Sequence, residues 1–553
     1  MRRLPTPAFV VLVLVAVFAL LSLAVLGGSP AASPAPVGLA TPGSTPGASG
    51  SPTGSPPGLD GSASASPAAG SGEPSSAPPS APPGPVAGVP IVPVVDFRST
   101  ITGIDASDVK GILAGTDPHW NRLELVKADA DGILAALGAP RPTSSAHFTT
   151  AASAAVLAKD LAADSSRLAF LRASQVTPAV RAVAWSGKSL FGVDRITKTA
   201  SWPLVARLPG DARPFNAGST WTLVAGGDIM LDRGVYREVH ILGKGVDFPF
   251  NGGTADITGH RCCSALGWPT VIARRTGNAG AVRHLLSRAN IAVANFENPA
   301  PDDYHYHTQG TVFSADPRLI AGVKDAGIDV VSIANNHIGD AGTKGVLQTI
   351  ANLDARGIRH AGAGKNTAAA HRPAMLQVGG VMVAILAYDT IAKRYAAGPS
   401  KPGSAQLTAA GVKADVAAAR AAGADVVIVY PHWGTEYKAA PFPAQQRLAR
   451  AVIDAGADMV IGNHAHWVGA MEVYKGKPIW YALGNFVFDQ DWSEPTSEGM
   501  LLELTFSGKS LVQVVLHPTV ILDKSQPNFL DPAGDGRVVL GQLYDASKKL
   551  LPW

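Results

Sequence analysis

Six short clusters hold the residues best suited to bind a metal ion or move a proton. They are Gly226-Gly227-Asp228-Ile229-Met230, with Asp232 and Arg233 behind it; Asn295-Phe296-Glu297; Asn335-Asn336-His337, followed by Asp340; His432-Trp433-Gly434-Thr435-Glu436; His464-Ala465-His466; and Gly484-Asn485-Phe486. Carboxylates, an amide oxygen and imidazoles are the mixed hard and borderline donors that hold Mn, Fe or Zn without thiolates. A carboxylate shared by two cations lets them sit about 3.5–4 Å apart, which suits clamping a tetrahedral phosphoryl or similar oxyanion. A histidine beside such a pair, rather than on it, can protonate a leaving oxygen. Taken singly, most clusters have a plainer reading. An Asp after a strand caps a helix or forms a turn, a His-Trp pair packs, and Asn-Asn turns the chain. His464-x-His466 is the strongest alone, because a strand-end His-x-His can aim both rings at one point. The conjunction is what argues for a site.

The elements that must position these clusters alternate. Short apolar strands are expected at 221–225, 291–294, 330–333, 381–387, 426–430, 459–461 and 479–482. Helices are expected between them at 281–288, 317–326, 343–356, 412–422 and 443–455. This is the pattern of an α/β layered fold with covered sheets. In such folds sites form just beyond the carboxyl ends of strands, where all six clusters fall. The runs 500–506 and 510–521 alternate in polarity and predict a closing antiparallel pair, with a last short helix at 545–551.

In order, the clusters resemble the CapA family of poly-γ-glutamate capsule biosynthesis proteins, akin to the calcineurin-like metallophosphatases. The resemblance spans 221–521 and leaves 1–215 uncovered. It implies a four-layer α/β sandwich of two sheets flanked by helices. It also implies one or two divalent ions (Mn, Fe or Zn). Asp228 would hold the first metal together with His466, Glu297 would bridge, and Asn336, His432 and His464 would bind the second. His337 would be the catalytic proton donor. Arg233, Asn335, Trp433, Glu436 and Asn485 are candidates for substrate contact, with a surface ion pair the other reading of Arg233. Two departures from the phosphatase pattern stand out: Met230 occupies a ligand histidine's place, and Glu297 replaces a bridging Asp. Gly462-Asn463-His464 mimics the phosphatase Gly-Asn-His signature, but Asn335-Asn336-His337 already fills that place upstream. His305 and His307 either line the cleft or lie exposed in their loop, and Asp489 either orients a histidine or is loop polarity. The implied role is synthesis, export or processing of an anionic envelope polymer, poly-γ-glutamate, alongside capsule synthesis or export subunits. The chain is either a metal-dependent phosphoesterase-like hydrolase or a non-catalytic polymer-binding and assembly component.

The rest of the chain sets the address. Of 553 residues, 46% are hydrophobic and 16% charged, and the net charge of +4 argues against a nucleic-acid partner. Arg2 and Arg3 precede an apolar run at 8–26 broken only by Ser22. At about 1.5 Å per residue the run reaches roughly 28 Å, near the hydrocarbon thickness of a bilayer. Residues 1–27 therefore read as a membrane anchor or signal segment. The expected location is the cell membrane, single-pass with the C-terminal part outside, or secretion after cleavage. Residues 28–88 are Gly, Ser, Pro, Ala and Thr with few charges, a disordered linker. Residues 89–215 read as a small α/β domain, with 94–123 weakly similar to a piece of a periplasmic solute-binding domain, and 218–553 as the metallophosphatase-like domain. The two cysteines, Cys262 and Cys263, are adjacent and could be thiols or a vicinal disulfide.

Overall fold

The computed structural model describes residues 85–550. The anchor and nearly all of the linker lie outside the described residues. The first strand, Val86–Asp96, starts inside the stretch assigned to the linker. It runs through a six-stranded sheet beside Arg167–Arg172 and Val180–Ala182, with Val205–Pro209 also paired to it. Arg122–Val126 and Phe148–Ala151 extend that sheet in parallel. Two of its helices start at polar caps. Asp105 opens Ala106–Ala114 with a reciprocal capping box, and Ser153 accepts from the Val156 N–H to open Ala154–Ala163.

Two further sheets carry the six polar clusters. The larger has ten strands, with Thr220–Ile229 near its centre. Ile291–Phe296, Val330–Ser332 and Arg359–Ala361 follow it in parallel on one side. On the other side lie Glu498–Ser507 and Ser510–Leu522, an antiparallel pair as the alternating runs predict. The smaller sheet has six strands, with Val381–Asp389, Val426–His432 and Met459–Ile461 parallel at its centre.

Alternation along the strands assigns their two faces. Leu223, Val293 and Val330 from the larger sheet pack in one core with Val383, Ile428 and Ile461 from the smaller, so the sheets face each other. The intervening residues Val224, Ala292 and Val331 point the other way, onto Val282, Val323 and Leu353 of the helices Ala281–Arg288, Ile320–Asp325 and Gly342–Ala355. On the smaller sheet Leu386, Val427 and Val460 do the same against Val412 and Val452 of Ala409–Ala421 and Pro443–Asp454. Strands buried on both faces must be apolar throughout, and this is why they read as continuous runs.

Several sequence expectations shift. The helix expected at 545–551 is Gly536–Ser547, and the segment 317–326 splits into a single 3-10 turn and a short α-helix. An unanticipated hairpin, Thr254–Arg261 with Thr270–Gly277, extends the larger sheet. Its strands are exposed or half-buried apart from Ala255, so they lack the apolar run that flags a buried strand. Cys262 and Cys263 form a disulfide at its tip. Among the described residues no helix is long and apolar enough to cross a membrane.

Candidate metal centre

Strand register brings the clusters to one end of the two sheets. Asp228 lies opposite Asn295 on one side and Asn485 on the other. His432 ends its strand beside Asp389 and bridges to Asn463. Gly227 lets the loop from the neighbouring strand close in: a Cβ there would stand 1.9 Å from the Gly484 carbonyl oxygen, which accepts the Asp228 N–H at 3.1 Å. Gly227 within the strand is thus a packing requirement.

Asp228, Glu297, His432, His464 and His466 are all buried. Their ligand atoms form two groups, Asp228–Glu297–His466 and Glu297–His432–His464, each with its atoms within 4.8 Å of one another, and Glu297 belongs to both. Glu297 Oε1 is buried and accepts no hydrogen bond. Around it stand His432 Nε2 at 3.5 Å, His466 Nε2 at 3.8 Å and His337 Nε2 at 4.0 Å. His432 Nε2 also lies 2.7 Å from Asn336 Oδ1 and 3.0 Å from His464 Nδ1. Three acceptor atoms therefore crowd one nitrogen, whose single proton satisfies at most one of them. A cation satisfies all of them, and the donor set of carboxylates, imidazoles and an amide oxygen fits a borderline divalent ion.

Electrostatics agree. Burial holds His432 and His464 well below the usual imidazole range, so both rings are neutral, as metal ligation demands. Burial, then the neighbouring Asp228 charge, pushes Glu297 well above the usual carboxylate range. Packing such groups together is costly for the protein alone, and a positive ion reverses that cost. His464 and His466 both hold positive φ, 91° and 55°, a backbone arrangement uncommon for histidine and found where a site is being shaped.

His337 sits just beyond the cluster. Its Nδ1 lies 2.8 Å from Asp340 Oδ2, and the Asn336 amide faces its Nε2 at 2.9 Å. Asp340 is itself fixed by the Phe313 N–H and the Tyr395 hydroxyl. This leaves the Nδ1–H on the aspartate side and the Nε2 lone pair toward the cluster.

Several residues expected to touch substrate are engaged elsewhere. Trp433 is buried against Tyr481, donating its indole N–H to the Tyr481 carbonyl, and is a core residue because its strand face meets the outer helices. Asn335 donates to the Phe296 carbonyl and accepts the His337 N–H, so it fixes the Asn336-His337 turn. Asn485 accepts from His466 Nδ1 at 2.9 Å and donates to Gln490 and the Thr496 carbonyl; it orients His466. Arg233 forms a buried ion pair with Asp489 and packs over Phe313, so its charge is already matched, and Asp489 orients no histidine. Asp232 accepts from the His307 and Ser314 backbones and pairs with the His307 ring, pinning that loop. Met230 is wholly buried, with its sulfur accepting the Asp232 N–H. Glu436 is exposed beside the centre.

Asn295 has a role that its place in the second cluster does not announce. Its amide nitrogen lies 2.8 Å from Asp228 Oδ1 and 3.2 Å from His432 Nδ1, tying both ligand groups together. Its sequence signal is a polar residue at an otherwise apolar strand end.

Residues 222–490 match the family model described as bacterial capsule synthesis protein PGA_cap. The capsule biosynthesis protein CapA of Bacillus anthracis is 32% identical over 295 residues, covering 51% of this chain and 71% of that protein. The chain belongs to this capsule synthesis family. A second family relative, the PGA biosynthesis protein CapA of Bacillus subtilis strain 168, is 33% identical over 224 residues, 40% of this chain and 59% of its own. Among solved structures, a 5′-nucleotidase precursor from Thermus thermophilus is similar at a TM-score of 0.33 and 16% identity, covering 60% of this chain and 58% of that one.

Proposed function

We propose that this capsule-family chain serves the synthesis, export or processing of poly-γ-glutamate, as a metal-dependent hydrolase on a calcineurin-like metallophosphatase sandwich. The observation that carries the reading is Glu297 Oε1, a buried carboxylate oxygen with no donor, common to both ligand groups. Asp228, Glu297 and His466 would hold one divalent ion, and Glu297, His432, His464 and Asn336 a second. Such ions supply Lewis acidity and charge stabilisation at an oxyanion. The chain's own residues do the rest. Asn485 and Asn295 set the ring planes of His466 and His432. His337, backed by Asp340, delivers a proton from Nε2 to a leaving oxygen once protonated. The relatives' names supply the polymer; the layered fold and donor set support the chemistry. The apolar run at 8–26 supports a membrane-held chain with its head outside, in contact with capsule synthesis or export subunits.

The test is metal content of the purified chain together with hydrolysis of a model phosphodiester in added Mn, comparing wild type with His337→Ala and Asp228→Ala. Equal activity in all three ends the hydrolase reading. The placement of Met230 favours a second reading, a non-catalytic polymer-binding component, because its sulfur is turned to the Asp232 backbone and leaves the first ligand group one donor short. Absence of bound metal after Mn or Zn is supplied would decide for it.

A further inference from the structure

Next to the metal centre lies a second feature that the ligand set does not explain. Trp268, Tyr437 and Trp467 line a cleft of about 450 Å3, with Glu436, Lys438 and Glu494 among its other walls. Trp268 arrives from the tip region of the exposed hairpin, held by the Glu494 N–H donating to the Pro269 carbonyl. Tyr437 joins the cleft to the centre. Its backbone N–H donates to the Ala465 carbonyl, between His464 and His466, and its ring lies 6.1 Å from that of His466.

The geometry of the three rings selects the ligand. Their centroids are 5.6, 6.3 and 6.4 Å apart, with interplanar angles of 67°, 61° and 56°. Two of the pairs meet edge to face and the third is tilted, and rings this close leave no room for a cation between them, so they line the cleft as an aromatic wall whose rings offer their faces singly, and not as an aromatic cage. The rim carries two carboxylates and one ammonium. A polyanion laid here would meet like charge at Glu436 and Glu494. A pyranose matches instead: its C–H face stacks on the negative face of an aromatic ring, and its hydroxyls donate to carboxylates.

We propose that the Trp268–Tyr437–Trp467 cleft is a saccharide subsite that seats a neutral glycan chain beside the metal centre. It would bring a sugar polymer, and not the anionic one, to within one residue of His466. The inference needs no bound metal, so it stands or falls apart from the hydrolase reading.

Isothermal titration of the full chain with chitohexaose, cellohexaose and poly-γ-glutamate tests it, each with and without chelator. At least one hexasaccharide should bind with and without metal, roughly tenfold more weakly to Trp268→Ala and Trp467→Ala and near wild-type strength to Trp268→Phe. Poly-γ-glutamate binding should be unchanged by Trp268→Ala, a substitution in a half-buried hairpin position that leaves the sheets' core intact. If neither hexasaccharide binds, if Trp268→Ala binds it as well as wild type, or if poly-γ-glutamate is what loses affinity, the proposal is wrong.

Discussion

His432 Nε2 and His464 Nδ1 lie 3.0 Å apart, two neutral imidazole nitrogens facing each other inside a buried cluster. With the Asn295 amide facing its Nδ1, neutral His432 carries its one proton on Nε2, and His464 Nδ1, Asn336 Oδ1 and Glu297 Oε1 compete for it. The cluster's local cost is therefore tied to what occupies it.

Glu297 is common to both ligand groups, whereas Asp228 belongs to one. Glu297→Ala should lower affinity for Mn or Zn at both positions, by tenfold or more, while Asp228→Asn should weaken only one. Metal stoichiometry by mass spectrometry on the two variants is the measurement. Identical stoichiometries for both variants would mean that Glu297 is not shared.

Asp340 touches no ligand atom and holds His337 through Nδ1. Asp340→Asn should leave metal content at the wild-type level and lower phosphodiester turnover, with His337→Ala costing about a hundredfold or more. The split between metal content and turnover is the diagnostic. A variant that loses both has merely lost its fold, and one that loses neither removes His337 from the chemistry.

The charged pair Arg233–Asp489 supplies no ligand atom and is nearly dry, with the two side chains only 8% and 12% exposed. Asp489 also accepts the Gly234 N–H. Removing one partner of such a pair strands the other, so Asp489→Ala should destabilise by about 3–5 kcal/mol. Chemical denaturation of Asp489→Ala against wild type checks this. A loss below about 1 kcal/mol would show that water reaches Arg233.

The strand ends were legible from sequence because burial on both faces makes the strands continuous apolar runs, against which Asp228, Glu297 and His432 stand out. The register that turns those ends into one site was legible only through the resemblance, since pairing of Asp228 with both Asn295 and Asn485 is set by long-range contacts. What sequence could not give was occupancy of hydrogen-bonding groups. Asn335, Asn485 and Arg233 have the right chemistry for substrate, and only the positions of Phe296, His466 and Asp489 show them already satisfied. Trp433 departs from expectation for a different reason: alternation along 426–432 continues one residue past the strand and turns its ring into the outer core. The hairpin bearing Trp268 escaped because exposed strands carry no apolar period.

A last prediction concerns acid–base behaviour at Glu498, away from the ligands. The residue is 2% exposed, and its Oε1 has no partner. Burial, with a smaller push from the Glu494 charge, raises its carboxyl to about 8. The unfolded chain releases this proton near the ordinary value of 4.5, so between 4.5 and about 8 the folded state holds one proton more than the unfolded state. Stability then falls as pH rises through that window, by up to roughly 1.4 kcal/mol per pH unit from this one group. Below 4.5 both states are protonated and the contribution is flat. Glu498→Gln keeps the shape and removes the titration. Denaturation midpoints measured at pH 5, 6.5 and 8 (roughly spanning the window) should fall less steeply for the variant, which should overtake wild type most clearly at the highest pH. Parallel curves for the two proteins would mean that the Glu498 carboxyl ionises in the folded chain as readily as in the unfolded one, and that its burial is offset by a partner such as water.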